Sequence, residues 1–343
     1  LKLLRIEPNL GGQGITIRGR DARQQVFVTG EYSSGQLRDH THRVTFTAVP
    51  AGIVEVDASG LVTPLNDGEA LVRATDKSGT TGELKVRVVS VKKPLPINFK
   101  NQVVPIFTKL GCNSGGCHGK ASGQNGFKLS LLGFYPEDDY SFLVKEGRGR
   151  RLFVTSPGDS LLLAKATGRS PHGGGKRMDV DSYEYRLIYR WIAQGMPRGS
   201  ADDPVVVGIK CYPESRTMDR GSDQQITTLA TYSDGTTEDV TRMALYEAND
   251  TEMAEATVTG LIKTLDLAGE VAIMARYQGE VSTFRASVPL GADVGQLPPT
   301  RNLVDKAVVG KLTVLGIPPS PLADDSTFLR RLYIDITGEL PTE

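Results

Sequence analysis

The chain is organised around one stretch, Leu110-Gly111-Cys112-Asn113-Ser114-Gly115-Gly116-Cys117-His118-Gly119. It contains two of the three cysteines and one of the four histidines. A cysteine pair followed directly by histidine is the attachment pattern of c-type haem, in which the thiols bond the vinyl groups and the histidine ligates the iron. The usual pattern has two residues between the cysteines, whereas four separate Cys112 from Cys117. Gly115 and Gly116 accommodate the longer loop, because glycine tolerates backbone angles that other residues avoid.

Two other interpretations of these residues stay open. Cys112, Cys117 and His118 are also zinc-ligand types, but a closed structural zinc site has four ligands. The remaining cysteine, Cys211, lies 94 positions after Cys117 in a strand-like run and is expected to be a buried free thiol. The third interpretation is a small disulfide loop between Cys112 and Cys117.

A second glycine-rich stretch, residues 171–178, supplies candidates for the sixth iron ligand. We predict one covalent haem c with His118 and His172 as metal ligands and Met178 as the alternative to His172. The ordinary roles of such residues are a solvated loop histidine and a methionine that fills a core gap. Basic side chains nearby are candidates to pair with the haem propionates, and the alternative is an ordinary solvated face: Lys176, Arg177, Arg148, Arg150 and Arg151.

Composition excludes several classes of function. The 40 Lys and Arg residues balance 40 Asp and Glu residues, so no general attraction to nucleic acid is expected. No run reaches the ~20 apolar residues that a membrane span needs. The 343 residues include 38 glycines, 19 prolines and 6% aromatics, which predicts many turns and thin cores. Without an initiator Met or signal peptide, the chain is expected to be a mature or trimmed form.

Residues 1–91 alternate apolar and polar side chains in short runs, for example 25–32, 44–49, 70–74 and 84–89. About seven such runs predict an antiparallel sandwich. The same residues return at an offset of 200: Gln24-Gln25 and Gln224-Gln225, Tyr32 and Tyr232, Asp39 and Asp239, Thr41 and Thr241, Gly60 and Gly260. A repeat this regular predicts two copies of one module. The pattern resembles the bacterial immunoglobulin-like (Ig-like) group 2 domain over 1–91 and 204–290, which implies a spacer or adhesion module.

The pattern changes after a linker at 91–96, stiffened by Pro94 and Pro96. Residues 98–110 have apolar positions at helical spacing and lead directly into Cys112. Residues 181–195 predict an amphipathic helix that Asp181 or Ser182 caps and that ends at Gly195. Two such helices predict an all-α cytochrome c-like haem domain over 92–203. Trp191 is expected either at the haem edge or in the core.

Residues 291–300 predict a second linker, and 302–315 and 328–335 predict helices. This end, 291–343, is too short to bury a core alone. It is expected to be the start of a truncated helical domain.

Three motifs at 112–134, 160–166 and 171–177, together with 301–342, resemble planctomycete-type exported multidomain proteins. That resemblance implies Ig-like domains, a c-type cytochrome-like module and the start of a conserved planctomycete domain of unknown function. It also favours His172 over Met178 as the distal ligand.

The predicted fold class is therefore two all-β Ig-like sandwiches flanking an all-α cytochrome c-like domain, with a short helical C-terminal segment. The predicted function is electron transfer by an exported, extracytoplasmic cytochrome module rather than catalysis, although enzymatic activity stays open. Its partner is an unknown redox protein or its own C-terminal domains, with no nucleic acid and no membrane span. The alternative is a surface adhesion or scaffold protein without haem, whose middle domain a disulfide staples.

Overall fold

The computed structural model describes residues 1–93, 95–295 and 297–342. Pro94 of the first predicted linker, Gln296 of the second and the terminal Glu343 of the predicted C-terminal segment lie outside the described residues. Among the described residues, no helix has the length and apolar character needed to cross a membrane.

Residues 3–89 form ten strands, of which the long β9 and β10 alternate buried and less buried side chains, while β3 and most of β4 are buried throughout. The strands are β1 (Leu3–Glu7), β2 (Ile15–Arg18), β3 (Gln24–Gln25), β4 (Phe27–Glu31), β5 (Leu37–Asp39), β6 (Thr45–Val49), β7 (Val54–Val56), β8 (Leu61–Pro64), β9 (Gly68–Thr75) and β10 (Thr81–Val89). They pair in three sheets, β1-β4-β5, β2-β10-β9-β6 and β3-β8-β7. In β10, Leu84, Val86 and Val88 are buried and the residues between them are exposed, which is the alternation expected of a strand with one face on the core.

Residues 206–288 repeat this arrangement strand for strand. The strands are β11 (Val206–Tyr212), β12 (Ser215–Thr217), β13 (Asp223–Gln225), β14 (Thr227–Tyr232), β15 (Thr237–Asp239), β16 (Leu245–Ala248), β17 (Ala254–Ala256), β18 (Leu261–Thr264), β19 (Gly269–Tyr277) and β20 (Glu280–Val288). They pair as β11-β14-β15, β12-β20-β19-β16 and β13-β18-β17. Local hydrogen bonds recur as well, since Val26 N–H donates to Gly60 O and Ile226 N–H donates to Gly260 O, both at 2.9 Å. The repeat in the sequence is thus a repeat of backbone structure.

The two sandwiches contact each other through an exchanged pair of hydrogen bonds. Asp39 in β5 accepts a hydrogen bond from the backbone N–H of Gln225 in β13, and Asp239 in β15 accepts one from the N–H of Gln25 in β3. Thr227 adds a hydroxyl bond to the carbonyl of Gln25 at 2.9 Å. Because each copy offers the same carboxylate and the same amide, the contact has the self-complementary form of a twofold interface. We call these four residues, Asp39, Gln225, Asp239 and Gln25, the reciprocal clamp.

The segment between the sandwiches contains four short α-helices joined by loops and by 3-10 and π turns: α1 (Val104–Lys109), α2 (Pro136–Tyr140), α3 (Leu161–Ala166) and α4 (Tyr183–Ala193). The predicted all-α cytochrome c-like domain is therefore wrong, since most of the described chain is β-sandwich and α1, α2 and α3 have only five or six residues each. The physical reason lies in the glycines. Gly111, Gly123, Gly126, Gly133 and Gly147 have positive φ angles, and such residues cannot continue a right-handed helix.

Helix α4 matches its prediction and anchors the core of this segment. Ser182 caps it by accepting a hydrogen bond from the backbone N–H of Tyr185 at 3.2 Å. Trp191 is fully buried, its ring centroid lies 5.4 Å from that of Phe99, and its indole N–H donates to the Pro197 carbonyl at 2.9 Å. Of its two predicted positions, Trp191 therefore has the one in the core.

The C-terminal residues form two helices, α5 (Leu303–Leu315) and α6 (Asp325–Thr337). Asn302 and Asp324 cap them, and Gly316 and Gly338 end them with positive φ angles. Leu315 is the buried residue of α5, and α6 has none.

Candidate functional site

A cavity of about 510 Å³ lies where the loop of Cys112–His118 faces the loop of His172–Arg177. Seven of the predicted residues line it: Cys112, Cys117, His118, Arg150, Arg151, His172 and Arg177. The two loops are more than fifty residues apart in the sequence. Folding therefore brings together the residues that the sequence patterns singled out.

Backbone hydrogen bonds hold the first loop in a tight coil at the end of α1. Cys112 N–H donates to Phe107 O at 2.8 Å, and His118 N–H donates to Cys112 O at 3.0 Å. At Gly119 an added Cβ would lie 2.0 Å from Asn113 O, so only glycine permits this closure. The loop thereby turns both cysteines and His118 towards the cavity.

The two imidazoles are held in one tautomer by backbone carbonyls. Nδ1 of His118 donates to Phe127 O at 2.9 Å, and Nδ1 of His172 donates to Gly175 O at 2.8 Å. The ring centroids are 6.4 Å apart and the ring planes differ by 8°. Burial lowers the pKa of His118, so this imidazole is neutral at pH 7. Each Nε2 atom is therefore left for another partner.

The thiols of the cavity are free in the structure. Burial raises the pKa of the Cys112 thiol to about 11, against a smaller opposing effect of the Arg177 guanidinium. Arg177 Nη2 lies 3.8 Å from Cys117 Sγ, and Arg177 Nη1 donates to Leu110 O at 3.4 Å. Cys112 is consequently protonated at neutral pH and is a poor nucleophile.

Cationic side chains line the other side of the cavity. Lys165 donates to Pro171 O at 2.8 Å, which holds its ammonium group near His172. Arg151 is buried and donates to the carbonyls of Phe142, Glu146 and Gly126, so it supports the surrounding loops. Burial lowers the pKa of Arg151, yet an arginine keeps its charge at neutral pH. Arg150 also lines the cavity and is exposed to solvent.

Several predicted residues lie elsewhere. Met178 is buried in the hydrophobic core of the middle segment, and Lys176 pairs with Asp179 on the surface. Cys211 is a buried free thiol of the second sandwich, as predicted. Sequence analysis missed Phe127 and Lys165, which line the cavity. No spacing rule connects them to the cysteines, because Phe127 comes from another loop and Lys165 from α3.

The cofactor prediction is wrong. The cysteine spacing is not that of a c-type attachment site. Among the described residues, no group of three or more His, Cys, Asp or Glu side chains is arranged to hold a metal ion. The surrounding segment also lacks the cytochrome c-like architecture on which the prediction depended. Haem c and the cytochrome assignment are therefore abandoned, and electron transfer has no structural support.

Comparison with known proteins gives one curated relative of modest similarity, and no family model matches the chain. Ice-binding protein 1 of Shewanella frigidimarina (strain NCIMB 400) is 22% identical over 311 residues, which is 89% of this chain and 32% of that protein. The chain thus spans about a third of the length of this relative.

Among solved structures, domains 5–6 of the S-layer protein SbsC match with 10% identity and a TM-score of 0.32, over 84% of this chain and 97% of that one. Mouse cadherin-23 EC22–24 matches with 12% identity and a TM-score of 0.19, over 83% and 98%. The chain is similar in sequence to a protein named for ice binding and, more remotely, in structure to multidomain S-layer and cadherin proteins.

Proposed function

We propose that the chain is a rigid spacer in a surface adhesion or scaffold protein and acts outside the cytoplasm. The observation that carries this proposal is the reciprocal clamp, which joins the two sandwiches through buried backbone amides. A flexible array of independent modules needs no such exchange, whereas a scaffold that holds a fixed geometry does.

The middle segment reinforces the clamp because it contacts both sandwiches. Arg190 in α4 pairs with Asp21 of the first sandwich, and Arg23 stacks over the Tyr183 ring at 3.4 Å. On the other side, Tyr277 of the second sandwich donates its hydroxyl to the carbonyl of Asn101 at 3.0 Å. The three parts therefore support one another, as a load-transmitting unit requires.

The similarity to the ice-binding protein supports the same proposal, since it extends over 89% of this chain. The name of that relative records ice binding. For this chain, an external surface is the setting in which we propose that the spacer works.

Surface labelling of intact cells tests the setting. Cells that make the full protein are treated with a membrane-impermeant amine-reactive biotin reagent, and the chain is then captured with an antibody. We expect labelling before lysis, with a cytoplasmic enzyme as the unlabelled control. Labelling only after lysis would overturn the proposal.

Small-angle scattering tests the rigidity. We expect the Asp39→Ala, Asp239→Ala double variant to have a larger radius of gyration than the parent chain at the same concentration. An Asp76→Ala variant is the control, because Asp76 bonds only within its own turn. Equal radii for the double variant and the parent would show that the clamp does not set the geometry.

The cavity supports a second candidate function, the binding of a small organic anion. Its apolar wall includes Phe107 and Phe127, and its polar groups are two imidazoles, Arg177 and Lys165. Ligand sites commonly combine a volume of this order with a few converging polar groups. Binding of 1-naphthoate, measured by calorimetry, should weaken at least tenfold in Arg177→Gln and stay unchanged in Lys176→Gln. Equal binding by both variants would refute the assignment.

A further inference from the structure

A groove of about 870 Å³ runs between the middle segment and the second sandwich. We propose that it binds an acidic polysaccharide whose sugar rings carry carboxylates. This inference rests on the proposed surface function for its setting and names the class of molecule that the surface would hold.

Apolar side chains at the groove are exposed to an unusual degree. Phe134 is 73% exposed, Tyr135 59% and Leu131 53%. The two aromatic rings lie edge to face with centroids 4.9 Å apart. Contiguous exposed apolar groups on a soluble surface mark interaction sites, and the flat faces of aromatic rings pack well against the C–H faces of sugar rings.

The loop that carries these side chains is held in place by hydrogen bonds. Ser130 bonds to Asp139 through both its backbone N–H and its hydroxyl. Leu132 N–H donates to Asn113 O at 3.1 Å, although Leu132 has a φ angle of 53° that side-chain-bearing residues rarely adopt. Strain that the surroundings maintain is frequent at binding sites. The exposure of Phe134 is therefore a fixed feature of the fold.

The charge of the groove has one sign. Its cationic residues are Lys100, Lys120, Lys128 and Arg276, and no Asp or Glu lines it among the described residues. Arg276 lies 3.7 Å from Glu247 outside the groove, so its charge is partly balanced. A cleft with one sign of charge attracts ligands of the opposite sign. An anionic ligand fits this potential.

The surrounding strands favour a polysaccharide over an acidic peptide. The wall contributed by the second sandwich comes from β19, the turn after it, and Met243 in the segment before β16. Strand β19 already pairs with β20 on one side and β16 on the other. An extended peptide would therefore find no free strand edge for its backbone groups. A polysaccharide has no backbone amides to satisfy, and its outward hydroxyls stay in water.

Calorimetric titration of the full chain with oligomannuronate of defined length tests the proposal. We expect binding that weakens as salt is added, because exposed charge pairs are screened. Phe134→Ala should weaken binding at least fivefold, and Lys120→Gln with Lys128→Gln should reduce both the affinity and its salt dependence. Phe153→Ala is the matched control, since Phe153 is 52% exposed and lies outside the groove.

Three outcomes would overturn the proposal: no binding of oligomannuronate by the parent chain, equal affinity in Phe134→Ala, or equal affinity for neutral dextran. Tighter binding of poly-L-glutamate than of oligomannuronate would also overturn it, in favour of an acidic protein segment. Because surface labelling of cells does not depend on the groove, failure here is distinguishable from failure of the proposed surface function.

Discussion

Replacing Asp239 with alanine should destabilise the protein more at pH 5 than at pH 7. The Asp239 carboxylate accepts hydrogen bonds from the backbone N–H groups of Gln25 and Thr241, both fully or almost fully buried. The alanine variant leaves these two donors without a partner, at about 1–3 kcal/mol each. The free energy of unfolding of Asp239→Ala should therefore be about 2–6 kcal/mol lower than that of the parent chain at a pH where the parent's carboxyl group is neutral.

The pH dependence follows from the position of the carboxyl group. Burial raises the pKa of Asp239 from 3.8 to about 6. A carboxyl group with a raised pKa contributes stability that is fully present below its unfolded pKa and is lost as the pH rises through its folded pKa. A shift of about two units corresponds to about 3 kcal/mol over the whole window. Between pH 7 and pH 5 the contribution of Asp239 should grow by about 1.3 kcal/mol.

Urea unfolding followed by far-UV circular dichroism measures this change. The free-energy difference between the parent chain and Asp239→Ala should increase from pH 7 to pH 5. Asp76→Ala is the control, because the hydrogen bond from Ser78 lowers the pKa of Asp76. Its contribution is present above the unfolded pKa and should not change between pH 7 and pH 5. A difference for Asp239→Ala that is constant or smaller at pH 5 would refute the reasoning.

Three further substitutions test the packing. Trp191→Ala should cost about 3–5 kcal/mol, seen in urea unfolding of the helical signal, because the indole is fully buried; a loss below about 1 kcal/mol would contradict its place in the core. Gly133→Ala should lower the free energy of unfolding more than Gly126→Ala in the same assay. Both glycines have positive φ angles, but an added Cβ at Gly133 would lie 2.3 Å from Val104 Cγ1, whereas one at Gly126 would meet nothing within 4 Å. Equal losses would show that the Val104 contact is unimportant. Phe134→Ala should change the free energy of unfolding by less than about 0.5 kcal/mol, because the ring is 73% exposed, and a larger loss would mean that the ring packs in the folded chain.

Local patterns in the sequence were sufficient for most of the secondary structure. Alternation predicted the run at 44–49, which is β6, and helical spacing with a capping serine predicted α4 to within two residues at each end. Both signals depend on neighbours in the chain, because side-chain period and end caps are local properties. The offset of 200 residues likewise marked the repeat, since equal residues such as Gly60 and Gly260 serve the same turn.

The middle segment shows where a motif misleads. The motif of Cys112, Cys117 and His118 contains the residue types that haem attachment needs. A sequence motif identifies these side chains, but it does not identify the fold that surrounds them. The predicted cytochrome architecture required long helices, and the positive φ angles of Gly111 and Gly126 break the chain into short ones. The amino-acid composition gives the number of glycines. Only the folded backbone shows which of these glycines have the positive φ angles of the left-handed region.

What the sequence by itself determined is therefore local: the strands, the strong helices, the repeat and the candidate residues of the cavity. The tertiary structure alone decided how these parts meet. It placed the Asp239 carboxyl group on the backbone amide of Gln25, brought the His172 ring beside that of His118, and gathered Phe134 and three lysines along one groove. These contacts join residues far apart in sequence, and their energies depend on burial and on the exact position of partners. A pattern of side chains shows which face of an element is buried, but the surface that covers that face is known only from the fold.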